Sequence, residues 1–563
     1  MDKGLSVCYI AKNEEKNISK SLEQLVLLMG KPEDAGYEIL VLDTGSTDRT
    51  VENALKYGAR VEHFTWVDDF SAARNEVMQR ATYDRILFID ADEYPERIDI
   101  QEINRLWAVN QGAVGRIVRR NICNSTTGGS CIYIDDVERL FDRREYRYVG
   151  TIHEQLVRTD NNKHSVYSIP FTVFHDGYFG TEQQLKEKAE RNNKLLFKEL
   201  EGNPDDPYIL YQIGQSFELV GERDLALEFY EKGYRCKPDR KAEYSATMIH
   251  SYGCILTDME KYDEAKKLIE DELSNYSYFA DFLCFAAYTY MRTGELKRAI
   301  DLYNMAFDAT EADIEGSDNQ IPSYNLGCIY AALGDELRAK KYFELAGDYG
   351  KAQERLKELL EDDFEKKCNE KYISLIVPVR DDCSYLWRLW ECIKDQSIGI
   401  GHLEVIFVVL TDSTSLIELL NSAEREYGNS VCLFYPDEDI GLQESISQAF
   451  GYTTAANVML IDNGRNLKWD ALRMMNAASK SSGADMVMHG VEYSGRDFSL
   501  TVESEQMRER VKEAGIIGND PDCCLYRIDF LLSKGITVAD LLEKEVGIRF
   551  ADRIYCIKEN LEE

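Results

Sequence analysis

Asp90-Ala91-Asp92 follows the apolar run RILFI, and two carboxylates one residue apart at a strand end suit a divalent cation. Strand alternation sends side chains i and i+2 to the same side. The pair is therefore expected to offer hard oxygen ligands to one Mg²⁺ or Mn²⁺. A short acidic triplet alone is common in solvated turns, so its company matters. Ala11, Asn13 and Glu14 follow the strand-like SVCYI, and Asp43-Thr44-Gly45-Ser46 follows EILVL. Open α/β sheets bind ligands at the carboxyl ends of their strands. The three clusters are expected along one such edge, binding a nucleoside diphosphate through the cation.

The elements that must position these residues read as strand–loop–helix, strand–turn–helix and a third apolar strand. In the middle of the chain a different period takes over. Leu210, Ile213, Gly214, Ala226 and Tyr230 open a grid of small and apolar residues. The grid recurs at Tyr252, Gly253, Leu256 and Ala265, again at Ala287, Tyr290 and Ala299, and again at Leu326, Gly327, Tyr330 and Ala339. This is the spacing of tetratricopeptide helix pairs, whose period is about 34 residues. Arrays of this kind serve more often as scaffolds for a peptide or protein than as catalysts. First-helix residues Tyr211, Gln215, Tyr252 and Tyr290 are expected to face a groove. From Lys371 onward, ISLIVPV, LEVIFVVL and NVMLI repeat the order of the first strands, but Asp462-Asn463-Gly464 stands where the first domain has its second aspartate. The C-terminal domain thus reads as a duplicate fold without the metal site; a second, metal-independent transferase is the competing reading.

The predicted fold class is α/β plus all-α. An N-terminal Rossmann-like domain spans 1–180, a connecting helix 181–205, helical repeats 206–365 and a degenerate α/β domain 371–563. A formal charge of −35 over 563 residues argues against nucleic acid or anionic lipid as partner. No apolar run reaches the roughly 18 residues of a spanning helix. The start passes directly into a strand pattern without a signal-peptide profile. Fourteen cysteines without C-x-x-C pairs are expected to be reduced, in a cytoplasmic protein.

The pieces AKNEE, LDTGSTDRT, FSAARNE and FIDADE together resemble a family 2 glycosyltransferase of the GT-A fold over about residues 4 to 180. Its tandem with tetratricopeptide repeats resembles bacterial enzymes that glycosylate peptides or proteins, such as bacteriocin S-glycosyltransferases and transferases acting on flagellin. The second α/β domain is a departure from the bacteriocin enzymes. The resemblance implies a UDP-sugar donor. Ala11, Asn13 and Glu14 would wrap its base and ribose, and Asp43 would accept from a uracil imide. Gly45 and Ser46 would adjoin the nucleotide, although turn and cap chemistry accounts for them too. Arg74 and Asn75 would lie near the nucleotide sugar, with Asp90 and Ala91 beside the ribose. Asp92 and Asp90, with His175 as a third ligand, would hold Mn²⁺ or Mg²⁺. Glu154 would be the general base of an inverting transfer, with His153 as the runner-up.

The expected activity is metal-dependent transfer of a sugar to a Ser, Thr or Cys side chain of a protein or peptide held by the repeats. A role for the repeats in homodimer formation competes with acceptor binding. Two other readings remain open from sequence: a soluble glycan or polysaccharide transferase, and an inactive scaffold that binds a protein through its repeats.

Overall fold

In the computed structural model the described residues are 4–124, 130–150, 154–175, 182–242, 244–361, 367, 369–437, 440–461, 467–489, 498–501, 524–542, 551 and 553–557. The chain separates into two compact units, Met1–Asp318 and Asn319–Glu563.

The first unit opens with β1 (Leu5–Ala11), α1 (Asn17–Met29), α2 (Pro32–Ala35), β2 (Tyr37–Asp43), α3 (Thr50–Lys56), β3 (Arg60–His63) and α4 (Phe70–Arg80). It continues with β4 (Arg85–Phe88), β5 (Glu93–Ile98), α5 (Ile100–Val109), β6 (Val114–Asn124) and β7 (Ser130–Asp142). Next come the short hairpin β8 (Tyr146–Val149) and β9 (Gln155–Arg158), then β10 (Val166–His175). Eight strands form one sheet in the order β3-β2-β1-β4-β7-β6-β10-β5. Strands β3, β2, β1 and β4 run parallel, β7 is antiparallel to β4 and β6, and β6 and β10 are parallel to each other. Hence β1, β2, β4, β6 and β10 all point the same way, and their carboxyl ends share one edge. Alternation along β1 divides the core: Leu5, Val7, Tyr9 and Ala11 pack with α1, while Cys8 packs with Ala73 and Val77 of α4. A sheet covered on both faces needs apolar side chains on both, which is why its strands read as near-continuous apolar runs.

After α6 (Glu182–Gly202) come three helix pairs: α7 (Pro207–Leu219) with α8 (Arg223–Arg235), α9 (Ser245–Asp258) with α10 (Tyr262–Tyr276), and α11 (Ala280–Arg292) with α12 (Leu296–Phe307). The small residues of the grid make room for rings as well as for backbone. A Cβ on Gly214 would lie 2.5 Å from the Tyr230 ring, and one on Gly253 would lie 2.2 Å from Phe285. The expected groove tyrosines are a correction: Tyr211, Tyr252 and Tyr290 are buried, and Gln215 donates to the Tyr211 hydroxyl. Large rings at these positions fill the helix-pair core instead of lining an open surface.

The segment after α12 joins the repeats to the sheet domain. Ile314 forms an antiparallel bridge with Tyr133 of β7; Ile134 N donates to Asp313 O, and Glu315 N to Ile132 O at 2.8 Å. Buried Asp281 accepts from the backbone N–H of Asp313 at 2.7 Å and of Ile314, fixing this segment from the repeat side.

The second unit holds a fourth pair, α13 (Gln320–Leu333) and α14 (Glu336–Leu345), then α15 (Gly350–Glu361). Among the described residues its strands are β11 (Ile373–Val379), β12 (Leu403–Val409), β13 (Val431–Phe434), β14 (Asn457–Leu460), β15 (Met486–Met488), β16 (Phe498–Thr501), β17 (Leu525–Arg527) and β18 (Arg553–Cys556). Their order, β13-β12-β11-β14-β17-β15-β18-β16, repeats the first sheet position by position, with every neighbouring pair in the same parallel or antiparallel sense. One difference lies in the chain path: the strands equivalent to β5 and β6 occur in the reverse order. Asp462, Asn463 and Gly464 lie outside the described residues.

Candidate active site

Three loops meet at the shared carboxyl edge. Asn13 has a left-handed backbone, φ 58°. It receives Thr47 N on Oδ1 at 2.8 Å, and its own N–H donates to Ser46 Oγ at 2.9 Å. These bonds tie the loop after β1 to the loop after β2. Asp43, buried at the end of β2, accepts from Ser46 N at 3.1 Å and Gly45 N at 3.3 Å, and meets His63 Nδ1 at 3.2 Å. Burial pushes its carboxyl up, but the bonds from Ser46, His63 and Gly45 outweigh burial and hold it below the usual range. Gly45 has φ +105°, which a side chain rarely tolerates, so it closes this turn. Ala11 ends β1, and Glu14 accepts from Asn17 Nδ2 at 2.7 Å where α1 begins.

Asp90-Ala91-Asp92 does not continue β4, which ends at Phe88; the triplet lies in the passage to β5. The alternation argument therefore fails, and the two carboxylates meet different partners. Asp90 accepts from Arg74 Nη2 at 2.9 Å and Arg139 Nη2 at 2.6 Å. Burial raises the Asp90 carboxyl, but Arg139, Arg74 and Arg119 together hold it far below the ordinary carboxylate range. Asp92 instead approaches His175 Nε2 at 3.3 Å. Ala91 is buried between them.

His175 ends β10, and its tautomer follows from its neighbours. Asn121 on β6 spends its amide nitrogen on Tyr133 O at 3.2 Å and Asp135 Oδ1 at 2.9 Å. Its oxygen therefore faces His175 Nδ1, at 2.7 Å, and receives that N–H. In the neutral ring Nε2 then carries a lone pair directed at the Asp92 carboxylate. Two electron-rich atoms facing each other at this distance call for a proton or a cation between them. A carboxylate with an imidazole whose other nitrogen is hydrogen-bonded is a common donor set for Mn²⁺, so these two residues fit the ion. Among the described residues no group of three His, Cys, Asp or Glu side chains is gathered around one ion position. Asp90 is engaged by arginines, so the expected three-ligand set is not assembled.

Arg74, on α4, lies buried between two carboxylates: its Nη2 meets Asp90, and its Nε donates to Glu154 Oε1 at 2.5 Å. The guanidinium also lies over the rings of Phe88 and Tyr148, 5.1 and 5.3 Å from their centroids. Glu154 immediately precedes β9, so the β8–β9 hairpin delivers it. Asn75, next along α4, pins that hairpin by exchanging two 2.9 Å bonds with the backbone of Tyr148. Arg74 Nη1 and the Tyr148 hydroxyl are buried here without partners among the described residues. His153 lies outside the described residues.

Sequence reasoning missed the ions that surround this set. Arg139 on β7 bridges Asp90 and Glu93, and Glu93, fully buried, receives Asp90 N at 2.9 Å. Arg119 on β6 joins Glu93 to Asp135. The one signal available was charge inside strand patterns: Arg119 lies in the strand VGRIVRRNICN beside Arg116 and Arg120, and Arg139 in SCIYIDDVERLFD beside Asp135, Asp136 and Glu138.

Residues 6–179 match the family model described as Glycosyl transferase family 2, and residues 323–346 match that of a tetratricopeptide repeat. The SPbeta prophage-derived glycosyltransferase SunS of Bacillus subtilis is 28% identical over 40% of this chain and 51% of its own length. A TPR repeat-containing protein of Synechococcus elongatus is 27% identical over 41% of this chain and 56% of its own. The chain thus spans about half the length of the curated relatives it matches. The crystal structure of S. aureus TarS 1-349 aligns with 12% identity and a TM-score of 0.29, covering 34% of this chain and 59% of that one. No helix among the described residues is long and apolar enough to cross a membrane. The N-terminal sheet domain is a glycosyl transferase family 2 domain, and the pair α13–α14 carries a tetratricopeptide repeat.

Proposed function

We propose that the chain transfers a sugar from a UDP-sugar to a Ser, Thr or Cys side chain of a protein or peptide, with inversion at the anomeric carbon. The observation that carries this reading is the ion-pair chain Glu154–Arg74–Asp90, which ties a carboxylate from the β8–β9 hairpin to the donor motif. The acceptor's O–H or S–H proton passes to Glu154 as the oxygen or sulfur bonds to the anomeric carbon. The bond from that carbon to the diphosphate oxygen breaks, and its electron pair leaves with UDP. Arg74 holds Glu154 in place. With Arg139 it supplies fixed positive charge beside the departing diphosphate, where such charge stabilises the transition state most. Asp92 and His175 would hold a divalent cation, which when bound offsets further charge on the leaving group.

The repeats are the proposed acceptor platform, because the Asp313–Glu315 segment fastens them to β7, the strand that carries Arg139. Incubating the full chain with a panel of nucleotide sugars and either peptides or oligosaccharides, followed by intact mass spectrometry, tests the acceptor class. Peptides are expected to gain one sugar mass. Transfer to oligosaccharides alone would favour a glycan-building enzyme.

A further inference from the structure

We infer that His402 is a protonated clamp holding the helix pair α13–α14 against the C-terminal sheet domain, and that loss of its proton at alkaline pH loosens this docking. His402 ends the short turn Ile400–His402 that leads into β12, and it is buried. Its Nδ1 lies 3.0 Å from Glu370 O, and its Nε2 lies 2.8 Å from Gly334 O and 3.1 Å from Glu336 Oε2. Carbonyl and carboxylate oxygens only accept, so both ring nitrogens must donate. A neutral imidazole has one N–H and one lone pair, and only the imidazolium satisfies both sides. Losing the proton turns a lone pair toward an acceptor, in a buried place where an unmade bond is costly.

The residues just before His402 make the rest of this junction. Arg338 of α14 donates to Gln396 O at 2.6 Å, approaches Asp395 at 3.6 Å and donates through Nε to Asp335. Gly399 lies so close to Asp335 that a Cβ on it would stand 2.7 Å from Asp335 Cγ. Gly334 closes α13, and the carboxyl end of a helix favours a cation. The charged and titratable groups around the ring come from three sides. Glu336 belongs to α14. Tyr372, beside β11, stacks on the imidazole at 4.5 Å and 7°, and its hydroxyl donates to the Glu370 carboxylate at 3.4 Å. Lys480 stands 3.6 Å from the centroid of the same tyrosine ring. Lys371, which burial pushes down, is spent on Gly401 O and Ser430, and the charge of Lys367 acts on Glu336. Burial pushes the His402 ring down as well, but its bonds to Glu336, Glu370 and Gly334 outweigh burial and hold it above its usual range. Glu336 is held below its own range, against burial, chiefly by His402.

The docked ring keeps its proton to a higher pH than the unfolded one, which releases it near about 6.5. The stabilisation is therefore fully present below about pH 6.5 and is lost as pH rises through the raised value, the docking constant falling by up to about tenfold per pH unit. Two measurements on the full chain test this. With seven histidines in the sequence, nuclear magnetic resonance of isotope-labelled imidazole rings can follow each one. His402 is expected to titrate above about 6.5, and at a lower pH in Glu336→Gln than in wild type. Hydrogen exchange of the α13–α14 amides, corrected for intrinsic rates, should show protection falling between about pH 6 and 9 in wild type. In His402→Gln it should stay level, because glutamine has no proton to lose, and a contribution from Lys371 would survive that substitution. The wild-type titration and exchange series stand even if His402→Gln folds poorly. A His402 ring that titrates at or below about 6.5, wild-type protection that does not change with pH, or the same change in His402→Gln would overturn the assignment.

Discussion

Asp90 and Asp92 are near neighbours in sequence, yet Asp90 faces Arg74 and Arg139 while Asp92 faces His175. The division of labour rests on buried charge, where removing one partner costs more than the pair contributes. Arg139→Met leaves Asp90 and Glu93 short of a cation, and urea denaturation should report a loss of about 3–5 kcal/mol. Asn121 acts at one remove. Asn121→Ala frees the His175 ring, and Mn²⁺ affinity measured by calorimetry should fall about 10–100-fold, as for other outer-shell partners of metal-binding histidines. The acidic triplet was legible as a motif because its residue types limit its chemistry. Which aspartate pairs with what was not legible, since Arg139 and Asn121 come from other strands and only the sheet order brings them there.

Among the elements, the strands and helix pairs were the legible part: alternation in β1 and the grid of small residues each fix which face is buried. The segment between α12 and α13 was not. Its bridge to β7 depends on backbone hydrogen bonds, which leave no side-chain period. Asp281 is the buried anchor of that segment. Burial drives its carboxyl up to about 6, and bonds from Ser317 and from the amides of Asp313 and Ile314 only partly offset this. Its folded value therefore lies above the unfolded one, near 4. The stability it contributes is fully present below about pH 4 and is lost as pH rises through about 6. Between pH 5 and 7.5 the wild-type chain should lose about 1.4 kcal/mol from this group, half of the roughly 2.7 kcal/mol that a two-unit shift carries in full. Asp281→Asn should show a flatter profile, read as the difference between the two denaturation series.

Across the whole molecule, one strand order is used twice. The repetition was visible in the first three apolar strands of each domain, whereas the antiparallel half of the second sheet is built from strands of three or four residues, too short for a period. The loops carry the difference: in the second domain the Thr411 hydroxyl donates to Asp381, where the first domain joins Asn13 to Ser46 and Thr47. We propose that transfer takes place in the first domain. In this proposal Glu154 performs the chemistry at a donor site built around Asp90 and Asp92. The most direct measurement is UDP release from UDP-sugars with Mn²⁺ and a peptide pool, run on wild type and Glu154→Gln, with UDP affinity measured in parallel. UDP affinity should stay within a few-fold and release should slow about 10²–10⁴-fold, the range of general-base catalysis. Release at the wild-type rate in Glu154→Gln, or a wild-type chain that does not bind UDP, would contradict it.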